Sequence, residues 1–306
     1  MLLNEKQALN LDNIYSILSK KYNISNIRYC HPASFNSFAY EVNEDLIIRF
    51  PKYKQSMLKL STECQILKFL KDKISLKIPE TFINLQPYFY TTHKKIPGTP
   101  LTQEKLLQLP KNKQEKFYAD IALFIFELNS YTNEISSQID IPVWDRIENS
   151  LKPSEVENLI LKDNNFSKID YHVIKNMYKN FSPNNEKEKL KFSHFDIISR
   201  NLAFDDKKQE LNGIYDFGNC SLGLVKYDFC QIRLDFNYNT ISEISRYYNK
   251  LCNSKLDIDE IEGYALHLML SLYLKFRSNH CLYKIKEFID SIKARNMNFN
   301  PTRERE

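Results

Sequence analysis

Two regimes of hydrophobic patterning meet near residue 95. Before it, apart from a leading helix marked by Ile14, Ile17 and Leu18, apolar residues come in short alternating runs, the pattern of strands with one covered face. Residues 26–30, 37–42 and 45–50 read as strands, and Asn43-Glu44 turns the last two into an antiparallel hairpin. Met57, Leu60, Cys64, Leu67 and Leu70 then recur at helical spacing across 55–73, so one amphipathic helix packs on that sheet. Strands at 80–84 and 88–93 complete a five-stranded antiparallel sheet.

The segment Lys95-Ile96-Pro97-Gly98-Thr99-Pro100 has the composition of a linker. Beyond it the periodicity is helical, as in the stripe Phe117, Ile121, Phe124, Ile125 and Leu128. Only 192–217 departs: 201–204 and 211–215 flank a polar turn at 205–210 and predict a short hairpin. The expected fold class is α+β, with a small sheet-plus-helix lobe at 1–95 and a larger, mainly helical lobe at 96–306.

Composition supports two folded cores: 306 residues carry 42% hydrophobic, 13% aromatic and 26% charged side chains. The net charge of +5 is spread over Lys-rich helices without a basic block, which argues against a nucleic-acid partner. Cys30, Cys64, Cys220, Cys230, Cys252 and Cys281 form no CxxC pair and read as free thiols. No window approaches the roughly 18 apolar residues of a membrane span, and 1–13 lacks a signal-like start. A cytoplasmic monomer without a membrane or nucleic-acid partner is expected.

The chemistry concentrates in His194-Phe195-Asp196-Ile197-Ile198-Ser199-Arg200-Asn201 and, fifteen residues past Asn201, Asp216-Phe217-Gly218. Six fixed identities, each met at roughly one position in twenty by chance, make coincidence a poor explanation. Phosphoryl transfer needs an aligned nucleophile and cations at the phosphate oxygens. Asp196 can take the proton of an acceptor hydroxyl. Asn201 and Asp216 offer an amide and a carboxylate oxygen of the kind Mg2+ prefers. Asn201 opens one strand of the hairpin and Asp216 follows the other, so pairing in register brings both to the same end. His194 is assigned support of the loop, because a histidine at such a place more often fixes backbone than moves a proton.

With Tyr227-Asp228, these motifs resemble the aminoglycoside phosphotransferase family, and the likeness covers roughly residues 26 to 235. Phe38 to Asn43, Arg49-Phe50-Pro51-Lys52, Ile78-Pro79, Ile96 to Thr102 and Leu109-Pro110 are similar to the branch acting on the 2-double-prime hydroxyl. The resemblance implies a protein-kinase-like bilobal fold, ATP or GTP as donor, Mg2+, and a small-molecule acceptor. It further implies that Arg49, standing where the family carries lysine, pairs with Glu63 and grips the phosphates. In place of a glycine-containing phosphate loop the chain has Pro32 to Ser37, where the Ser34 and Ser37 hydroxyls can donate instead. The purine would meet main-chain groups near Lys94 and Ile96. Asn219 and Asn129 replace residues common in the family and receive no role.

An aminoglycoside carries several ammonium groups, so its pocket needs carboxylates. Asp235 and Glu243 are the acceptor candidates, each also readable as a solvated helix position, whereas the run from Asp257 to Glu262 reads as an acidic helix N-terminus. Residues 229–306 hold twelve Lys plus Arg against ten Asp plus Glu, which is no strongly acidic basin. A choline- or homoserine-type kinase, or a kinase-like nucleotide-binding protein with little turnover, are the alternatives.

Overall fold

The computed structural model describes residues 2, 5–8, 10–30, 36–144, 151–178, 189–253 and 255–299. In chain order α1 (Glu5–Ala8) and α2 (Leu11–Leu18) precede β1 (Ile27–Cys30), β2 (Ser37–Val42) and β3 (Leu46–Pro51). After α3 (Lys54–Leu70) come β4 (Thr81–Asn84) and β5 (Tyr90–Lys94). The five strands form one antiparallel sheet in the order β1-β2-β3-β5-β4.

Alternation gives this sheet two different faces. Phe38, Tyr40, Val42, Ile48, Phe50 and Tyr90 are buried in one cluster with Ile14, Ile17 and Leu18 of α2. Directly opposed pairs point the same way, and Arg49 stands opposite Ala39 and Thr91 while Ile47 stands opposite Glu41 and His93. Glu41, Ile47, Arg49, Thr91 and His93 therefore share the other face, which looks into the cleft between the lobes. Helix α3 follows the sheet as expected, but Ile66, Leu67 and Leu70 from its lower side are buried in the core of the large lobe.

The large lobe begins with α4 (Gln103–Gln108), α5 (Lys111–Ser130) and α6 (Thr132–Ser136), followed by α7 (Pro153–Ile160) and α8 (Lys168–Tyr178). Next come β6 (Lys191–Ser193), β7 (Leu202–Asp205), β8 (Glu210–Ile214) and β9 (Ser221–Gly223). It closes with α9 (Lys226–Asp235), α10 (Tyr238–Cys252), α11 (Ile258–Phe276) and α12 (Asn279–Phe299). β7 and β8 form the predicted hairpin, and β6 pairs with β9, a ladder the hydrophobic pattern did not indicate. Phe117, Ile121, Phe124, Ile125 and Leu128 of α5 are buried together as their spacing requires. The acidic start of α11 is a cap: Asp257 accepts hydrogen bonds from the amides of Asp259 and Glu260. Ion pairs fasten α12, with Lys286 and Lys293 on Asp170 and Arg295 on Glu262. A frayed C-terminal end at 303–306 is an expectation from the sequence, and those residues lie outside the described ones. Among the described residues no helix is long and apolar enough to cross a membrane.

The linker is docked against the hairpin. Ile96 is buried, its carbonyl accepts from the Tyr215 hydroxyl at 2.7 Å, and the Pro97 carbonyl accepts from Asn212 Nδ2 at 2.7 Å. Thr99 and Phe204 exchange both main-chain hydrogen bonds at 2.9 Å. Gly98 is needed for this docking, since its φ is +151° and a Cβ there would stand 2.7 Å from the Phe204 nitrogen. Proline and glycine here shape a segment docked on the hairpin.

Candidate active site

The hairpin sets the geometry of the site. Its ladder continues past β8, where the Tyr215 amide donates to the Asn201 carbonyl at 2.8 Å, so Asn201 and Asp216 lie beside the same hairpin end. The chain leaves through Asp216 in the left-handed region, φ 65°, which directs its half-exposed carboxylate out of the strand line. Asn201 is buried and spends its Nδ2 on the Asp196 carbonyl at 2.9 Å, which leaves its amide oxygen for another partner.

Asp196 sits in a loop held from three sides. The Asp196 amide donates to His194 Nδ1 at 3.2 Å, and His194 Nε2 donates to the Tyr215 carbonyl at 3.1 Å, an assignment that fixes the neutral Nε2–H tautomer. Burial pushes His194 down to about 4, consistent with the supporting role expected from the sequence. Asp228, fully buried, accepts from the Phe195 amide at 2.6 Å and the His194 amide at 3.3 Å. Its burial raises the carboxyl to about 7 against the lowering effect of these donors. Phe195 itself has φ 56° and stacks on Trp144 with ring centroids 4.3 Å apart, so the single tryptophan is a wall of this loop.

Asn219 and Asn129, to which sequence reasoning gave no role, both touch the site's framework. Asn219 Nδ2 donates to Asp196 Oδ2 at 3.2 Å. Asn129 Nδ2 donates to the Phe192 carbonyl at 2.9 Å, while its oxygen accepts from the Tyr248 hydroxyl at 2.7 Å, tying β6 to α5 and α10. Position next to the glycine of Asp216-Phe217-Gly218 was the one signal available for Asn219. Asp228 was visible only through the Tyr227-Asp228 likeness.

Across the cleft, Arg49 NH1 reaches both Glu63 oxygens at 2.8 and 2.9 Å, and its NH2 lies 4.0 Å from Asp216 Oδ1. Burial raises the Glu63 carboxyl, opposed by Arg49 and by a hydrogen bond from the Phe217 main chain. Ser37 is buried with its Oγ 3.5 Å from Arg49 Nε, and Ser34 lies outside the described residues. Lys94 and Ile96 flank the hinge, where the Lys94 carbonyl accepts from His93 Nδ1 at 3.0 Å.

The two acceptor candidates separate. Asp235 caps the turn that carries Asn201, accepting from the Ser199 amide at 2.8 Å, and lines a cavity of about 160 Å³ with Gln103, Glu104 and Glu287. Glu243 pairs with Arg246 on its own helix at 2.6 Å. A larger cleft, about 530 Å³, opens beside Glu63, Gly218 and Asn219, walled by Trp144.

The donor set suits a hard divalent cation: one half-exposed carboxylate and one amide oxygen leave the remaining octahedral positions to phosphate and water. Among the described residues no group of three or more His, Cys, Asp or Glu could hold a metal alone.

No curated protein matches the chain at significant similarity. Among solved structures, the GDP complex of aminoglycoside 2'-phosphotransferase-IIIa is similar with a TM-score of 0.73 and 18% identity, covering 94% of this chain and 99% of that one. The streptomycin-ATP-APH(2'')-IIa ternary complex gives 0.62 and 20%, covering 92% and 97%. Macrolide 2'-phosphotransferase MphH from Brachybacterium faecium gives 0.61 and 10%, covering 96% and 99%. These likenesses show the bilobal fold. The family model described as phosphotransferase enzyme family matches residues 31–243, which takes in strands β2 to β5, the hinge, the hairpin and Arg49, Glu63, Asp196, Asn201 and Asp216, and the chain belongs to that family.

Proposed function

We propose that the chain transfers the terminal phosphoryl group of a nucleoside triphosphate to a hydroxyl of a small molecule, an aminoglycoside first among acceptors. The observation that carries this reading is the meeting of Asp196, Asn201 and Asp216 at one hairpin end, opposite the Arg49-Glu63 pair. Solved relatives of the same fold are described with GDP, and with streptomycin and ATP.

In this scheme the acceptor oxygen attacks the terminal phosphorus, its proton passes to Asp196, and the nucleoside diphosphate leaves with the bond electrons. Asn219 holds one Asp196 oxygen and so fixes the orientation of the carboxylate. Asn201 and Asp216 would hold Mg2+, which neutralises phosphate charge when bound. Arg49, held by Glu63, carries its NH2 edge beside Asp216, where it would meet the phosphates. Asp235 offers its second oxygen to a cationic acceptor. We propose a cytoplasmic monomer, and the spread of its charge without a basic block supports the absence of a nucleic-acid partner.

A second reading, a choline- or homoserine-type kinase, draws on how many nearby carboxylates are already engaged. Asp235 takes the Ser199 amide, and Glu243 pairs with Arg246. Such a pocket suits one positive charge better than several. Nucleotide consumption, with mass detection of product, should be screened over aminoglycosides, choline and homoserine. Turnover with one class decides between the readings, and Asp196→Asn should lower it by about 10² to 10⁴ while nucleotide binding persists. Unchanged turnover in that variant would remove Asp196 from the mechanism.

A further inference from the structure

Helix α3 stands between two hollows. Thr62, Glu63 and Ile66 line the large cleft of the site. Cys64, Leu67, Lys68 and Lys71, spaced i, i+3, i+4 and i+7, share another side of the helix and line a second groove of about 480 Å³. Ile78, Pro79 and strand β4 form its opposite wall, and its size is typical of small-molecule sites. The strand register shows why the groove exists. Ile83 stands opposite Thr91, which stands opposite Arg49, so the Ile83 side chain lies on the sheet face that meets α3. Yet Ile83 is 42% exposed. The helix leaves this part of β4 uncovered, with an apolar wall in contact with water.

The charges at the rim of the groove do not cancel. Lys71 pairs with Glu80, whereas among the described residues Lys68 enters no ion pair. Burial beside Glu63 pushes the Cys64 thiol up to about 12, so it stays neutral and adds a polarisable wall instead of a negative charge. The groove therefore presents apolar surface together with one unneutralised ammonium, which complements an apolar molecule bearing a single anionic group. A compact molecule suits it better than a peptide strand, because β4 spans only four residues and is a short edge to extend.

We propose that the groove between α3 and β4 binds a small carboxylate with an apolar body, its head at Lys68 and its body against Leu67, Ile78 and Ile83. The site lies apart from the residues assigned to phosphoryl transfer and does not depend on that reading.

Calorimetric titration of the full chain with 2-naphthoate, 2-naphthamide and 2-naphthylmethylammonium tests this, since these probes share one body and differ in the charge of the head. The carboxylate should bind about threefold more tightly than the amide, the effect of one ion pair at a surface, and the ammonium least tightly. Lys68→Met keeps the apolar stem and should bring carboxylate and amide to the same affinity. Ile83→Glu, a change at an exposed edge position, should abolish naphthoate binding. No binding of naphthoate, equal affinities for the three probes, or binding that survives Ile83→Glu would overturn the proposal. Displacement of naphthoate by saturating ADP would place it in the other cleft and overturn the proposal too. So would a dimer in sedimentation that Ile83→Glu dissociates, because a second copy of the chain would then be the occupant. Should Ile83→Glu fail to fold, the wild-type ranking and Lys68→Met still decide.

Discussion

At the residue scale, the site is built by giving each reactive group a neighbour that uses up its wrong option. Asn201 spends its NH2 on a carbonyl and keeps its oxygen, Asp196 has one oxygen held by Asn219, and His194 is locked as a neutral spacer. These neutral histidines have a cost in acid. Burial holds His93, His194 and His267 at about 4, below the ordinary 6.5, so their contribution is complete above 6.5 and is lost as pH falls from there to 4. A shift of this size corresponds to about 3 kcal/mol for a fully buried group. Asp228, raised to about 7, works oppositely: its contribution is present below 3.8 and is lost as pH rises through 7. Three groups outweigh one, so the melting temperature should fall between pH 6.5 and 4.5. A level profile over that interval would mean that the imidazoles are protonated within the fold. The motif residues were legible because their identities are fixed by chemistry. The Asn219 contact was not, since it spans 23 positions and depends on the left-handed turn at Asp216.

At the scale of elements, the catalytic loop is clamped by a layered contact. Phe195, in a left-handed conformation, stacks on Trp144, and both rest against the backbone of β9 at Gly223. A Cβ at Gly223 would come 2.6 Å from Phe195 Cζ and 3.1 Å from Trp144 Cβ. Gly223→Ala should therefore cost about 1–3 kcal/mol of stability and reduce turnover by displacing Asp196, measured by denaturant melts and initial rates. Wild-type values in both would show that Phe195 can yield freely. The small-lobe strands could be read from sequence because one covered face imposes strict alternation over four to six residues. The three-residue strands β6 and β9 are too short to show a period. How the hinge docks was not legible, because proline and glycine serve a free linker and a tightly docked segment alike. Asp235 and Glu243 looked equivalent since each sits on a helix with mixed charges, and only tertiary structure puts one on the Ser199 amide and the other on Arg246.

At the scale of the molecule, we propose 1–95 and 96–306 as the two lobes, joined by more than the hinge. Ile66, Leu67, Leu70 and Leu76 precede that boundary yet are buried in the large-lobe core. Exposing each costs about 2 kcal/mol, a sum comparable with the net stability of a domain. Residues 96–306 expressed alone should consequently aggregate or melt without cooperativity, whereas a fragment starting at Lys54 should be better behaved. A soluble, cooperatively melting 96–306 fragment would contradict this. Tyr215 bears on how such a molecule can move. Its hydroxyl secures the hinge, its amide secures Asn201, and its carbonyl secures His194. The hinge, the Asn201 turn and the Asp196 loop thus hang on one side chain and its own peptide groups, so any widening between sheet and hairpin has to bend the chain ahead of Ile96.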